Sequence, residues 1–129
     1  MAEQNWQTPF WPEGVAHSCD NYKFPMFKFL DDAAENYPDY PFTVFNGAKK
    51  TFAQVKETAD RLANFLSAKG IKKGDKVAIF LPNLPQFPEI LYGITKAGAV
   101  AVNCNPIYTP PELNHQLKDS QSKMVFCMD

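Results

Sequence analysis

The sequence predicts an α/β fold whose later half, about residues 74–129, is a parallel βαβαβ unit. Three observations carry that prediction. Short, near-continuously apolar runs recur at 76–81, 99–104 and 123–128, as expected of strands covered on both faces. Between them lie stretches with apolar residues at helical spacing, Phe87, Ile90, Leu91 and Ile94 in the first. The connections are short, which suits crossover units rather than separate layers.

Upstream of this unit the punctuation is equally readable. Residues 1–24 carry Trp6, Phe10, Trp11 and Tyr22 among the turn markers Pro9, Pro12 and Gly14, an irregular aromatic arm. Residues 26–37 repeat Phe27, Leu30, Ala34 and Tyr37 as a helix, with Pro25 at its first turn and Pro38 as its stop. A short strand over 41–45 meets Asn46-Gly47, a hairpin signal, with its return around 49–51. Thr51 and Gln54 form a capping box for a helix that presents Phe52, Val55, Ala59, Leu62 and Leu66 on one face. Gly70 is its left-handed cap, with Ile71 beyond. Asn83 is expected to cap the next helix, which Gly98 closes near Ala97. Thr109-Pro110-Pro111-Glu112 is a second capping box, opening a helix to Asp119.

Composition narrows the function classes. With 45% hydrophobic and 21% charged residues the chain is of ordinary globular type, and its net charge of -1 gives no footprint for nucleic acid. The doublets Lys49-Lys50 and Lys72-Lys73 read as solvated turns, and Asp31, Asp32 and Glu35 as a solvated helix face. Cys19, Cys104 and Cys127 show no C-x-x-C spacing and stand apart from His17 and His115, so metal binding is not expected. Reduced thiols, a start without a signal peptide and apolar runs too short to span a bilayer predict a cytoplasmic protein. Peripheral membrane contact stays open as a partner class.

In an open parallel sheet, ligands lie beyond the carboxyl ends of the strands. Those ends are the loops at 81–86 and 103–108, and they make Asn83, Gln86, Asn105 and Tyr108 the cleft-facing candidates. The competing reading is structural: Asn83 as a helix cap, Asn105 as a turn before Pro106, Tyr108 as a packed staple. Neither loop is glycine-rich, so neither a dinucleotide fingerprint nor a P-loop is present. No G-x-S-x-G elbow exists. His115 reads as a solvated or packed side chain rather than a general base. Cys104 reads as a small packed residue, reactive only beside a cation.

Five ordered segments resemble the adenylate-forming superfamily. Thr51-Phe52-Ala53-Gln54-Val55 is similar to its T-[YF]-x-[ED]-[LV] opening, with Gln54 where an acid is common. Gly74-Asp75-Lys76-Val77-Ala78 resembles G-D-R-V-A. Leu81-Pro82-Asn83 with Gln86-Phe87 resembles L-P-N-x-x-[EQ]-F. Lys96-Ala97-Gly98-Ala99-Val100 with Asn105-Pro106 resembles K-A-G-A-V…N-P. Tyr108-Thr109 with Glu112-Leu113, Gln116-Leu117 and Asp119-Ser120 resembles the Y-T-x-x-E-L…Q-L-x-D-S stretch of long- or medium-chain fatty acyl-CoA synthetases.

That resemblance implies that residues 25–129 are an incomplete N-terminal α/β domain, the first part of the large domain of an adenylate-forming enzyme. It implies an AMP-forming ligase that activates a fatty acid with ATP and Mg and passes the acyl group to CoA. Full-length members carry a Gly/Ser/Thr-rich loop ending in Lys, a nucleotide-binding set and a C-terminal lid with a catalytic Lys. None has a counterpart here, so no catalytic, cofactor-binding or metal residue is assigned and the chain alone is expected to be inactive. An incomplete sheet with exposed aromatics is also expected to self-associate. Two alternatives stand beside this reading: an adenylating enzyme for an aryl or amino acid, and a stand-alone non-catalytic interaction module.

Overall fold

The computed structural model describes residues 24–128; the aromatic arm expected over residues 1–24 lies outside them except for Phe24. Helix α1 spans Phe27–Asn36, and Pro25 precedes it, its carbonyl accepting the Lys28 N–H at 3.0 Å. Strands β1 (Pro41–Phe45) and β2 (Ala48–Thr51) form the expected antiparallel hairpin. Asn46 and Gly47 turn it with φ of 48° and 82°, the left-handed pair that a two-residue turn between twisted strands requires. The capping box is present: Thr51 and Gln54 exchange side chain-to-backbone hydrogen bonds at the start of α2 (Phe52–Ala68).

The remaining elements alternate as the apolar runs predict. Strand β3 is Lys76–Phe80, helix α3 Gln86–Lys96, strand β4 Val100–Asn103, helix α4 Pro110–Ser120 and strand β5 Met124–Cys127. The three strands are parallel in the order β4-β3-β5, so β3 is central. All three of its middle residues, Val77, Ala78 and Ile79, are inaccessible to solvent.

The main core lies on one face of this sheet. Val77, Ile79 and Leu81 meet Leu66 and Ile71 from the end of α2 and Ile94 and Ala99 from the end of α3. A smaller core joins Leu30 of α1 to Val55 and Ala59 of α2, with Phe42, Phe52 and Tyr92 against it. The Phe42 ring stands edge-on to both Phe52 and Tyr92, anchoring the hairpin. The other sheet face is covered at the centre, where Ala78 is inaccessible, and open at the edge strands: Val100 and Val125, which alternate with the core-facing residues, are 47% and 39% exposed. From β3 the chain steps to one neighbour, β4, and then crosses back past β3 to β5, with α3 and α4 as the two connections. Helix α4 buries no residue.

Three helices end in the same way. After α2 and α3, Gly70 and Gly98 take φ of 84° and 73°. The next residues, Ile71 and Ala99, donate back to Leu66 and Ile94 at 3.0 and 3.1 Å. After α4 the left-handed position is held by Gln121, at φ 54°, with Ser122 donating to Leu117 at 3.1 Å. Relief of that strain, less the extra freedom glycine gives the unfolded chain, predicts that Gln121→Gly stabilises the fold by about 0.5 to 1 kcal/mol. Thermal unfolding checks this: an unchanged or lower midpoint would mean that the Gln121 side chain contributes something the backbone pattern does not reveal.

Candidate functional site

The family-like segments first build a scaffold. Gly74 turns at φ 85° and donates its N–H to the Gly98 carbonyl at 2.9 Å, while Val100 donates to Asp75 at 2.8 Å. The G-D and K-A-G-A-V stretches are thus joined directly, at the end of the sheet where β3 and β4 begin. The Asp75 carboxylate pairs with Lys123 at 2.7 Å and accepts the Lys72 N–H at 2.8 Å, and both interactions hold it below the usual carboxylate range.

At the opposite end, β3 delivers Leu81 into the core and the chain then turns sharply, Leu84 donating to the Pro82 carbonyl at 2.8 Å. Asn83 does not cap α3. The helix begins at Gln86 with Pro85 at its cap position and no side-chain cap. Pro82 and Pro85, on either side of Asn83-Leu84, shift the start by fixing φ along the loop, and Pro88 lies in the first turn of α3. Asn83 instead lines an open groove of about 290 Å³ with Thr43, Val44 and Phe45 of β1 and Leu84, Pro85 and Phe87 of the loop. Gln86 lines a second groove of about 290 Å³ on the other side of the same contact, with Ala48, Lys49 and Lys50 of β2.

Asn105 makes the turn expected of it: its side-chain oxygen accepts the Ile107 N–H at 3.2 Å and its carbonyl the Tyr108 N–H at 3.0 Å. Tyr108 is half-buried and faces a third groove, about 390 Å³, with Pro111, Glu112, His115 and Gln116. Gln116 ties α4 to the end of β4 by donating to the Asn103 carbonyl at 3.3 Å. The four candidates therefore divide: Asn83 and Gln86 border two grooves beside the hairpin, Asn105 holds a turn, and Tyr108 lies by α4 in a separate groove.

The reactive groups near these loops are engaged. The Glu112 carboxylate accepts both the Thr109 hydroxyl at 2.6 Å and the Thr109 N–H at 2.8 Å, which hold its pKa below the usual range. It is therefore not oriented to serve His115. Cys104 is buried, its thiol pushed up by desolvation and directed at the Val102 carbonyl at 3.7 Å, the opposite of an activated thiolate. Neither loop has a glycine to let backbone approach a phosphate, and no helix here opens with a lysine, so these residues do not fit a triphosphate. Among the described residues no cluster of three or more His, Cys, Asp or Glu side chains is placed to hold a metal ion.

Two ionic features depart from the sequence reading. Lys50 is not a free turn lysine: it reaches Glu89 of α3 at 2.5 Å and neutralises a carboxylate that is 4% exposed. Asp31 is not simply solvated surface. It receives Lys96 at 2.5 Å, and Lys96 also contacts Asp60, while Asp32 lies on the exposed face and pairs there with Lys28 at 2.7 Å. The signal for the first was an isolated Glu89 among apolar residues of α3; the second needed the helix packing.

Residues 30–129 match the model of the family described as AMP-binding enzyme. The chain belongs to the AMP-binding enzyme family. This family member is 37% identical over 129 residues to a long-chain-fatty-acid–CoA ligase of Bacillus subtilis (strain 168), covering 100% of this chain and 23% of the relative. It is 44% identical over 107 residues to the ligase of the same name from Salmonella typhimurium, covering 82% of this chain and 19% of the relative. The chain thus spans about a fifth of the length of these relatives. Among solved structures it resembles a Mycobacterium tuberculosis fatty acyl CoA synthetase, with a TM-score of 0.74, 38% identity, and 78% of this chain and 20% of that chain covered. The N-terminal subdomain of Klebsiella oxytoca NpsA shares the fold at a TM-score of 0.76 and 24% identity over 81% of this chain and 28% of that one. Among the described residues no helix is long and apolar enough to cross a membrane.

Proposed function

We propose that this chain is the opening structural segment of an AMP-forming fatty acid–CoA ligase and is inactive by itself. The observation that carries the proposal is the family match over residues 30–129 joined to 37% identity with a long-chain-fatty-acid–CoA ligase along the whole chain. In the proposed reaction a fatty carboxylate attacks the α-phosphorus of ATP, giving an acyl-adenylate and pyrophosphate. The thiol of CoA then attacks the acyl carbon and AMP leaves. Mg²⁺ would screen the triphosphate charge in the complete enzyme. The role of this segment is architectural: the central strand and two packed helices hold the loops bearing Asn83, Gln86, Asn105 and Tyr108, which we assign to the cleft side of the sheet.

The proposal extends to a cytoplasmic location, with peripheral membrane contact as a further property, and cell fractionation tests both. It also includes self-association of this chain, supported by the exposed Val44, Val100 and Val125.

Pyrophosphate exchange is the direct test of the activity. The 129-residue chain is expected to show none with any acid, and the native polypeptide that contains it to exchange with long-chain fatty acids. Exchange by the short chain would overturn the inactivity, and exchange driven only by aryl or amino acids would overturn the substrate class. An antibody raised against the chain should detect a native band well above 14.6 kDa; a band at that mass would instead indicate a stand-alone module.

A further inference from the structure

We propose that the outer edge of β1 is the surface through which two copies of this chain join, strand against strand, about Val44. This rests on the reading that the chain self-associates and names the contact.

The argument begins with hydrogen-bond accounting. Across a two-residue turn the flanking residues, here Phe45 and Ala48, form the pair that exchanges both backbone hydrogen bonds. The next pair, Val44 and Lys49, is then the non-bonded one, so the N–H and C=O of Val44 point away from β2. No described residue supplies a partner for either group. Val44 is 62% exposed and Phe45 42%, so the edge is open as well as unpaired.

The second observation lies beside that edge. The groove shared by Thr43, Val44, Phe45, Asn83, Leu84 and Phe87 runs along β1 and is about 290 Å³, space for one aromatic side chain. Thr43 and Phe45 project on the same face of β1, two residues apart. An antiparallel partner centred on Val44 sets its own Phe45 opposite Thr43, on the face that opens into this groove.

The occupant is a second copy because the edge is complementary to itself. Two Val44 residues facing each other across a two-fold axis exchange both hydrogen bonds, satisfying all four groups, and each copy fills the other's groove. Charge points the same way. Strand β1, Pro-Phe-Thr-Val-Phe, carries no charge to repel a copy, whereas the outer edge of β2 carries Lys49, a usual protection of an edge. Pairing also turns a two-stranded ribbon, marginal by itself, into a four-stranded sheet in the order β2-β1-β1-β2. The bulge between Pro41 and Thr43 and the missing N–H of Pro41 keep the contact short and prevent growth along the strand.

Sedimentation of the 129-residue chain from about 1 to about 200 µM tests this, since a dimer must grow with concentration. The mass is expected to rise from 14.6 kDa toward twice that value. Val44→Lys is expected to remain at 14.6 kDa with an unchanged circular dichroism spectrum, and Val125→Lys, on the open part of the three-stranded sheet, to dimerise as the parent does. In the parent, hydrogen exchange at the Val44 amide should slow as concentration rises, a readout that needs no variant. A parent that stays monomeric overturns both the edge and the self-association reading. A dimer abolished by Val125→Lys but not by Val44→Lys, or Val44 exchange that ignores concentration, overturns the edge alone and leaves self-association through the sheet face.

Discussion

Replacing Lys96 with methionine is expected to cost about 2 to 4 kcal/mol, a large share of the stability of a domain this size. Lys96 is the last residue of α3, and its side chain is only 9% exposed. Its ammonium contacts Asp31 of α1 at 2.5 Å and Asp60 of α2, and Lys56 meets the other oxygen of Asp60 at 2.6 Å. Three helices therefore converge on one alternating set of charges. Methionine keeps the length of the stem but leaves two carboxylates facing each other with Lys56 alone between them. The aspartates are 33% and 40% exposed, so water relieves part of the penalty and the loss falls below that of a fully buried pair. Lys56→Met is the control: Lys56 is itself 38% exposed, and its loss should cost about 1 kcal/mol or less. Urea unfolding of both variants decides the matter, and equal losses would refute the central role given to Lys96.

The same cluster predicts a pH dependence. Burial alone pushes the Asp60 carboxyl up, but hydrogen bonds from Lys56 and Lys96, with their charges, outweigh it and hold the group below its ordinary value. A carboxyl with a lowered pKa in the folded state contributes stability above its unfolded pKa, near 4, and loses that contribution as pH falls through the folded value. The parent should therefore lose stability below about pH 4 more steeply than Lys96→Met, in which one of the two lysine partners of Asp60 is gone.

What could be read from the sequence was whatever is written locally. The Asn46-Gly47 turn, the Thr51–Gln54 box and the glycines at 70 and 98 each specify a backbone geometry within four residues of themselves, and each was found where expected. The three apolar strands were equally plain as continuous apolar runs, but the burial on both faces that such runs suggest holds only for β3: Val100 of β4 and Val125 of β5 are exposed. The start of α3 was misread because Asn83 is a good cap by residue type. Pro82 and Pro85, on either side of Asn83-Leu84, override that preference by restricting the backbone before and after each one. The ionic contacts were illegible for a different reason. Lys50–Glu89 spans 39 residues and Lys96–Asp31 spans 65, and neither has any local signature. The two grooves beside the hairpin share that fate: each has one wall from the hairpin and one from a segment some forty positions later, so strand-end residues such as Asn83 and Gln86 are identifiable while Thr43 and Phe45 opposite them are not.

Gly93→Ala should destabilise the protein by about 2 to 3 kcal/mol, although helix propensity alone favours alanine by about 1 kcal/mol. The reversal of sign is what makes the variant informative. Gly93 lies within α3, is buried, and faces Leu62 of α2. A methyl group there would sit 2.6 Å from Leu62 Cδ2 and 2.8 Å from its Cβ and Cγ. Rotation of the leucine removes only the outer contacts; the Cβ is fixed to the backbone, so α2 and α3 must separate. Those helices carry Leu66 and Ile94 into the main core, and a shift between them opens space around both. Leu62→Ala in the same chain relieves two of the three close approaches, so the double variant should lose less than the sum of the single losses, by 0.5 kcal/mol or more, roughly the lower bound for residues in contact. Denaturant unfolding of the four proteins supplies the cycle. Should Gly93→Ala prove more stable than the parent, the helices are not held at this separation. The consequence would reach the grooves, because α3 carries Gln86 in its first turn and Glu89, which fastens Lys50 of the hairpin, one turn before Gly93. The small residue in the helix interface thus sets the position of the loop it supports.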